Sequence, residues 1–204
     1  MLLNAGIGLT HFSNGRVQTP NRGINIPSIV LGTSFVLDKK SHKINELQKT
    51  SNEYKRWGIN VHYGIGIQEN AKPGGLKYSV KIISVGGTYS TTPINRILFG
   101  WEYEYHNSAY AIAIAGSKEE SEAQKEAIKH IFFVGDELQF GKISFRFQLG
   151  YYLVNTRSII INTKFFINYR IPLHQISSSL YLGLMMKTHA AQAKYLSFLA
   201  GYEF

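Results

Sequence analysis

The chain has 204 residues, which suits one domain, and it contains no cysteine, which excludes a disulfide scaffold and thiolate metal sites. Its formal net charge is +9, but the basic residues form neither a helical stripe nor a nucleic-acid motif, so we expect no nucleic-acid partner. No stretch approaches the roughly 18 consecutive apolar residues of a membrane-spanning helix.

Apolar and polar residues alternate with a period of two through most of the chain, and this period predicts β-strands. In the last segment Leu196, Phe198 and Ala200 share one face, while Ser197 and Gly201 share the other. We predict about ten strands, in chain order over residues 2–13, 26–37, 56–68, 76–90, 95–113, 128–139, 141–154, 159–171, 175–187 and 193–204. The charged segment 116–130 is expected to be partly helical.

The polar faces of these strands decide the class of protein. They carry Lys, Arg, Glu, Asn and Gly at strand centres, and several strands are about ten residues long, enough to cross a bilayer. Lipid offers no hydrogen bonds to an open sheet edge, so such strands must close into a barrel. We therefore predict an all-β fold, with residues 1–204 forming one antiparallel, up-and-down transmembrane β-barrel domain of about ten strands.

Two features near the N-terminus bear on this prediction. A protein of this class needs a signal peptide, yet Met1 is followed directly by a strand-like run, so we expect the natural chain to be longer at this end. The polar stretch 38–55 is long, although it falls on the side of the barrel where short turns are expected.

The first predicted strand ends with a histidine and a serine. His11 and Ser13 are two positions apart, so both side chains should point to the same, apolar side of the strand. An imidazole beside a hydroxyl is the pairing that nucleophilic catalysis requires, although both residues could instead simply lie at headgroup level. The turn that follows begins with Asn14 and Gly15 and offers amide donors near the pair.

This segment resembles part of a known enzyme family. The run His11-Phe12-Ser13-Asn14-Gly15, then Pro20-Asn21 and Gly23-Ile24-Asn25, is similar to the active-site segment of outer-membrane lipid A 3-O-deacylases, the PagL-type or acyloxyacyl hydrolase family. Segments 135–153 and 187–204 also resemble its longer members. The resemblance implies that Ser13 is the nucleophile, that His11 is the general base and that Asn14 lies near the oxyanion.

The third catalytic position departs from the family. The resemblance places a Glu of the family's triad at Asn25, where an amide can orient His11 but cannot stabilise its charged form. Asn25 shares a face with Ile29 and Leu31, so we expect it beside His11. If ten strands alternate in one barrel that ends in the periplasm, the first strand runs outward. His11 and Ser13 would then lie near the outer leaflet, where lipid A lies.

Other ionisable residues give weaker hypotheses. We expect Glu102 and Glu104, which share a face, to form interior salt bridges with Arg96, Arg146 or Lys164. Lys187 and His189 could meet lipid A phosphates or lie in a solvated loop. The remaining histidines show no metal-ligand spacing, and we expect neither a metal nor a cofactor; these are His62, His106, His130 and His174.

Together these observations predict a serine esterase of the bacterial outer membrane that removes a fatty-acyl chain from lipid A, with lipopolysaccharide as its partner. Substrate would arrive laterally, because the pair faces lipid. Two alternatives stay open. One is a non-catalytic barrel, either a small pore or a structural protein, and the other is a soluble lipid-binding barrel.

Overall fold

The computed structural model describes residues 2–12, 24–34, 56–69, 75–153, 161–173, 178–189 and 192–204. Within these ranges the chain forms ten strands and two helices, as the alternating sequence predicts for most of its length. Their order is β1 (Leu2–Phe12), β2 (Ile24–Ser34), β3 (Trp57–Glu69), β4 (Lys77–Ser90), β5 (Asn95–His106), α1 (Asn107–Ala115), α2 (Glu120–Ala127), β6 (Ile128–Phe140), β7 (Ile143–Tyr152), β8 (Ile161–Leu173), β9 (Ser178–His189) and β10 (Gln192–Glu203). The polar stretch 38–55 lies outside the described residues.

Eight of these strands close an antiparallel barrel. Each strand from β3 to β10 pairs with its neighbour in sequence, and β10 returns to pair with β3, for example through Phe198 and Ile65. The first two strands form a separate two-stranded sheet, so the predicted antiparallel barrel is confirmed, with eight strands in its closed ring where about ten were expected. The physical reason is that the β10–β3 pairing uses both remaining edges, and a closed barrel leaves no edge for a ninth strand.

The outer surface of the barrel is apolar, as the sequence predicted. Exposed and buried residues alternate strictly along β7. On β10, Phe198 is 74% exposed and Ser197 is 1% exposed. A soluble protein buries its apolar faces, whereas this barrel turns them outward and keeps its charges inside, so the chain is a transmembrane β-barrel. Among the described residues, neither helix has the length and apolar character needed to span a membrane.

Large side chains fill the barrel interior. Arg146, Tyr181, Tyr195 and Phe133 are among the largest of those that are fully buried. Glycines on the facing strands make room for them: a Cβ added at Gly201 would lie 2.3 Å from the Tyr181 ring. An eight-stranded barrel is just wide enough for side chains to fill it, and this one is filled.

The two ends of the barrel differ. At the turn end, strands are joined by the short connections 91–94 and 141–142, and Gly141 adopts a φ of +62° that suits glycine in a tight turn. At the helix end, α1 and α2 join β5 to β6. Aromatic pairs lie on the outer surface toward both ends, Trp57 with Tyr89 at 4.6 Å and Tyr103 with His130 at 5.6 Å between ring centroids. Such girdles mark the two interfaces of a bilayer.

The strand predicted over residues 95–113 ends early. β5 ends at His106, and the following Ala-rich segment is the helix α1. Its Ala–Ile alternation imitates a strand, but alanine is the strongest helix former and no polar residue marks an interior face. β6 begins at Ile128, opposite Tyr105, so β5 has no partner on that side beyond this point. The helix α2 confirms the predicted helical segment 116–130.

Candidate functional site

The structure brings the backbones of two predicted catalytic residues together. In the β1–β2 sheet, His11 lies directly opposite Asn25, and Phe12 lies opposite Ile24. This register was expected from the shared face of the two residues. Ser13, Asn14 and Gly15 lie outside the described residues, so their catalytic roles stay predictions.

The separate β1–β2 sheet bears on the predicted position of His11. That prediction places His11 near the outer leaflet on the condition that ten strands alternate in one barrel. The structure pairs β1 with β2 and not with the barrel, so the count no longer fixes the direction of β1. The large apolar side chains of the sheet that the structure describes are exposed, with Ile7 at 92%.

A buried ionic cluster lies near the helix end of the barrel, with Glu104 at its centre. The Glu104 carboxylate accepts hydrogen bonds from Lys164 Nζ at 2.7 Å, from Lys187 Nζ at 2.6 Å and from Tyr195 Oη at 2.6 Å. His106 Nε2 also donates to it at 2.7 Å. Four donors therefore surround one fully buried carboxylate, which compensates the loss of its hydration.

This cluster tests the predicted interior salt bridges. Lys164 bonds both Glu104 and Glu102, so the prediction is confirmed for that partner. The other two candidate partners, Arg96 and Arg146, pair instead with Glu137 nearer the turn end. The hypothesis that Lys187 meets lipid A phosphates at the surface is wrong. Lys187 is 1% exposed, because its strand parity turns it into the barrel beside Glu104.

A second ionic cluster lies near the turn end. Glu137 Oε2 accepts from Arg96 Nη2 at 2.7 Å and from Arg170 Nη2 at 3.2 Å, and Arg146 Nη2 lies 3.5 Å away. Both Arg96 and Arg170 also bond Glu203. The arginines thus tie β5, β7 and β8 to β6 and β10 across the interior, an arrangement that holds the strands in place rather than one that activates a nucleophile.

Sequence analysis missed this second cluster. Glu137 was not singled out, although it lies opposite Arg146 in the β6–β7 ladder. The two strands are joined by the tight turn 141–142. An antiparallel alignment of their sequences about this turn places the two charges opposite each other. Glu203 could not be found in this way, because its partners Arg96 and Arg170 lie on strands that are not its neighbours.

A small cavity opens at the turn end. Its volume is about 290 Å³, and its lining includes Trp57, Lys142, Arg170 and Glu203. The volume lies at the lower limit of the ~300–1,000 Å³ of small-molecule sites. Arg170 is already bonded to Glu203 and Glu137, so its guanidinium is not a free cation in this cavity.

Comparison with known proteins gives one clear match. Residues 49–204 match the family model described as acyloxyacyl hydrolase, C-terminal domain. The match covers the eight-stranded barrel, while the motif around His11 and Ser13 lies outside it. No curated protein matches the chain.

One solved structure is similar, a de novo designed transmembrane β-barrel. It shares 10% sequence identity with a TM-score of 0.42, over 76% of this chain and 98% of the other. That score is too low for the similarity to support any conclusion.

Proposed function

The chain belongs to the acyloxyacyl hydrolase family, and from this premise we propose that it is a lipid A deacylase of the bacterial outer membrane. One observation supports the assignment of specific residues. His11, in the HFSNG motif, lies opposite Asn25 in the β1–β2 sheet. Directly opposite residues in an antiparallel pair bring their Cβ atoms to within about 5.5 Å. The register therefore supports a catalytic group built around His11.

In the proposed reaction, Ser13 Oγ attacks the carbonyl carbon of a fatty-acyl ester while His11 takes the hydroxyl proton. The ester bond breaks, and the sugar oxygen leaves with the proton that His11 returns. Water then attacks the acyl-serine and gives its proton to His11, which passes it back to Ser13 as the fatty acid departs. Amides of the turn at Asn14 and Gly15 would stabilise the oxyanion.

Asn25 takes the place of the carboxylate that orients the base in the family's triad. Its amide oxygen can accept a hydrogen bond from the imidazole N–H and so fix the ring, as an Asn does in papain-like enzymes. It carries no charge, so it stabilises the imidazolium less than a carboxylate would. We therefore propose an active but slowed serine esterase.

The membrane orientation follows from the two ends of the barrel. Barrels of the outer membrane have short periplasmic turns and longer extracellular loops. We propose that the turn end faces the periplasm and the helix end faces the cell exterior. The outer leaflet, which holds lipid A, then surrounds the helix end.

The competing function is a non-catalytic barrel. A small pore would need an open lumen, whereas Arg146, Phe133 and Tyr181 fill the interior of the described barrel. In a purely structural barrel the HFSNG residues would only lie at headgroup level, and the chain would leave lipid A intact. A soluble lipid-binding barrel conflicts with the exposed apolar outer face.

One experiment separates the deacylase from the non-catalytic barrel. The purified chain is incubated with lipid A in detergent, and mass spectrometry follows the release of a 3-hydroxy fatty acid. The proposal predicts release by the natural sequence and no release by His11→Ala at equal folded concentration. A folded natural sequence that leaves lipid A intact would favour the structural alternative.

A further inference from the structure

The helix α1 begins close to the level at which the lipid-facing wall of the barrel meets the membrane interface. The last outward residue of β5 is Tyr105, which lies opposite Lys81 on β4. Lys81 is exposed on the same face as Ile83, and a charged residue on this face is costly at the membrane midplane and tolerable near an interface. Only two positions after Tyr105, α1 begins at Asn107.

The length of β5 agrees with this depth. The strand Asn95–His106 has 12 residues. At about 3.4 Å per residue and a tilt of roughly 35–45°, it covers about 30 Å across the membrane, slightly more than the ~25 Å apolar band of such barrels. β4 continues beyond its last pair with β5, Val80 with His106, as far as Lys77. The chain therefore leaves the wall as a helix below the rim of the neighbouring strand.

A side-chain hydrogen bond holds the start of α1 on the outer side of the wall. Asn107 Nδ2 donates to Ser79 Oγ at 2.5 Å. Ser79 precedes the buried Val80 and shares the outward face of β4 with Lys81. In addition, α1 packs against β4. The helix therefore begins beside the lipid-facing surface of β4 rather than over the lumen.

The exposed side of α1 is apolar. The helix has no charged residue, and its two large aliphatic side chains, Ile112 and Ile114, are 59% and 42% exposed. Ala113 between them is buried. At about 100° per residue, the two isoleucines bound an arc of about 160° opposite Ala113, on which Ala111 and Ala115 also lie. The last turn of α1 thus presents only alanine and isoleucine on this arc.

The first turn of the helix shows which way this arc faces. Asn107 and Ser108 are four positions before Ala111 and Ile112, so they lie on the same side of α1. Ser108 is buried, and Asn107 is bonded to the lipid-facing wall through Ser79. One side of α1 therefore contacts the outer wall in its first turn and extends past it, uncovered, in its last turn. Lipid surrounds the wall at this place.

The second helix has the opposite character. α2 buries Ala123 and Ala127, and every other residue of α2 is polar and exposed. The connection to it carries Lys118, which forms an exposed ion pair with Glu126. Isolated exposed isoleucines are common on water-facing surfaces, but here apolar and charged residues are separated between two helices that pack together. This separation is typical of structure at a membrane interface, with α1 against lipid and α2 in water.

We propose that α1 is an interfacial helix whose apolar arc, Ile112 to Ile114, enters the lipid leaflet at the helix end of the barrel. The arc contacts the boundary between headgroups and acyl chains, in continuity with the lipid around Ile83. This contact sets the depth of the helix end in the bilayer. The inference rests on the transmembrane barrel and depends neither on catalysis nor on which leaflet the helix end faces.

Spin labels on single cysteines test this placement, because the chain contains no cysteine of its own. Ile112→Cys and Ile114→Cys are labelled in the full chain inserted into phosphatidylcholine vesicles. Power-saturation electron paramagnetic resonance compares collisions of each label with oxygen, which concentrates in lipid, and with a water-soluble nickel chelate. Both labels should lie at least about 5 Å below the phosphates. Ser121→Cys on α2 is the water-facing control, and Ile83→Cys on the barrel wall is the lipid-facing control.

The two reagents together separate the possible occupants of the arc. If nickel reaches the two α1 labels as freely as the Ser121 label, the arc faces water and the proposal is wrong. If the α1 labels are shielded from oxygen as well as from nickel, a second copy of the chain covers the arc, and the proposal is again wrong. Heat-modifiable migration checks that each labelled barrel is folded, and the Ile83 label reports insertion whether or not the chain hydrolyses esters.

Discussion

The backbone of His11 lies directly opposite that of Asn25 in a two-stranded sheet that stands apart from the barrel. The relationship matters because the family's triad places a carboxylate where this chain has an amide. In the proposed mechanism Asn25 carries no charge and therefore limits how strongly His11 can act as a base.

Replacing Asn25 should change the rate of deacylation in two directions. Asn25→Glu should raise it at least about tenfold, since exchanging the triad acid for an amide costs roughly 10⁴ in serine proteases. Asn25→Ala should lower it, because the imidazole loses its orienting partner. Initial rates of fatty-acid release by the two variants check this. Unchanged rates in both variants would mean that another residue orients His11.

Glu104 should be essential to the stability of the barrel. Glu104→Gln leaves Lys187 and Lys164 without a full counter-charge in a buried site, and breaking such a cluster costs about 3–5 kcal/mol. The midpoint of urea unfolding in lipid vesicles measures the loss. The matched control is Glu126→Gln, which breaks an exposed pair with Lys118 and should cost under about 1 kcal/mol. Equal midpoints for the two variants would contradict the role of the cluster.

Close packing inside the barrel predicts that Gly100 tolerates no side chain. A Cβ there would lie 2.4 Å from the Val85 carbonyl oxygen and 2.6 Å from Gly86 Cα, both backbone atoms. Gly100→Ala should destabilise the barrel by about 1–3 kcal/mol or prevent its closure. Gly116→Ala, where a Cβ meets its nearest neighbours at 3.5 Å, is the control. The stability is measured by the shift in gel migration that a barrel shows when heat unfolds it. If the Gly100→Ala barrel unfolds at the same temperature as the natural sequence, this account of the packing is wrong.

If the barrel spans the membrane, an arginine on its outer face should destabilise it by an amount that depends on the depth of the residue in the bilayer. Ile167 and Ile161 share the outward face of β8, the first near the strand centre and the second at its helix end. Ile167→Arg should destabilise the inserted barrel by about 2–4 kcal/mol, and Ile161→Arg by at most about 1 kcal/mol. Unfolding from lipid vesicles gives both values. Similar small costs at both positions would mean that this face does not contact hydrocarbon.

Much of the barrel could be predicted from local pattern. The period of two assigned Phe198 outward and Ser197 inward, and it separated the two faces of β3, β5 and β7 to β10 in the same way, because lipid and lumen impose opposite chemistry on alternate residues. The number of strands in the closed ring could not be predicted from this pattern. The ring closes where β10 pairs with β3, and these strands are far apart in sequence. The alternating pattern is the same for a ring of eight strands and for a ring of ten.

For the charged interior, too, the local pattern predicts which residues point inward but not which of them are in contact. Glu104 and Lys164 were recognised as interior partners from strand parity alone. Parity places Lys187 in the interior, but it could not show that Lys187 reaches Glu104 or that Arg96 reaches Glu203, because these contacts cross the lumen between strands that are not adjacent. The helix α1 was mistaken for strand since its Ala–Ile alternation has the period of a strand and the composition of a helix.

The most direct measurement of the central claim compares two serine variants of the β1–β2 region. Ser13→Ala should lower the rate of lipid A deacylation by about 10⁴-fold or more, because it removes the nucleophile. Ser28→Ala, which removes a hydroxyl that donates to the Gly8 carbonyl across the same sheet, should leave the rate within a few-fold of the natural sequence. Both variants should keep the heat-modifiable barrel. Full deacylation of lipid A by folded Ser13→Ala would contradict the account.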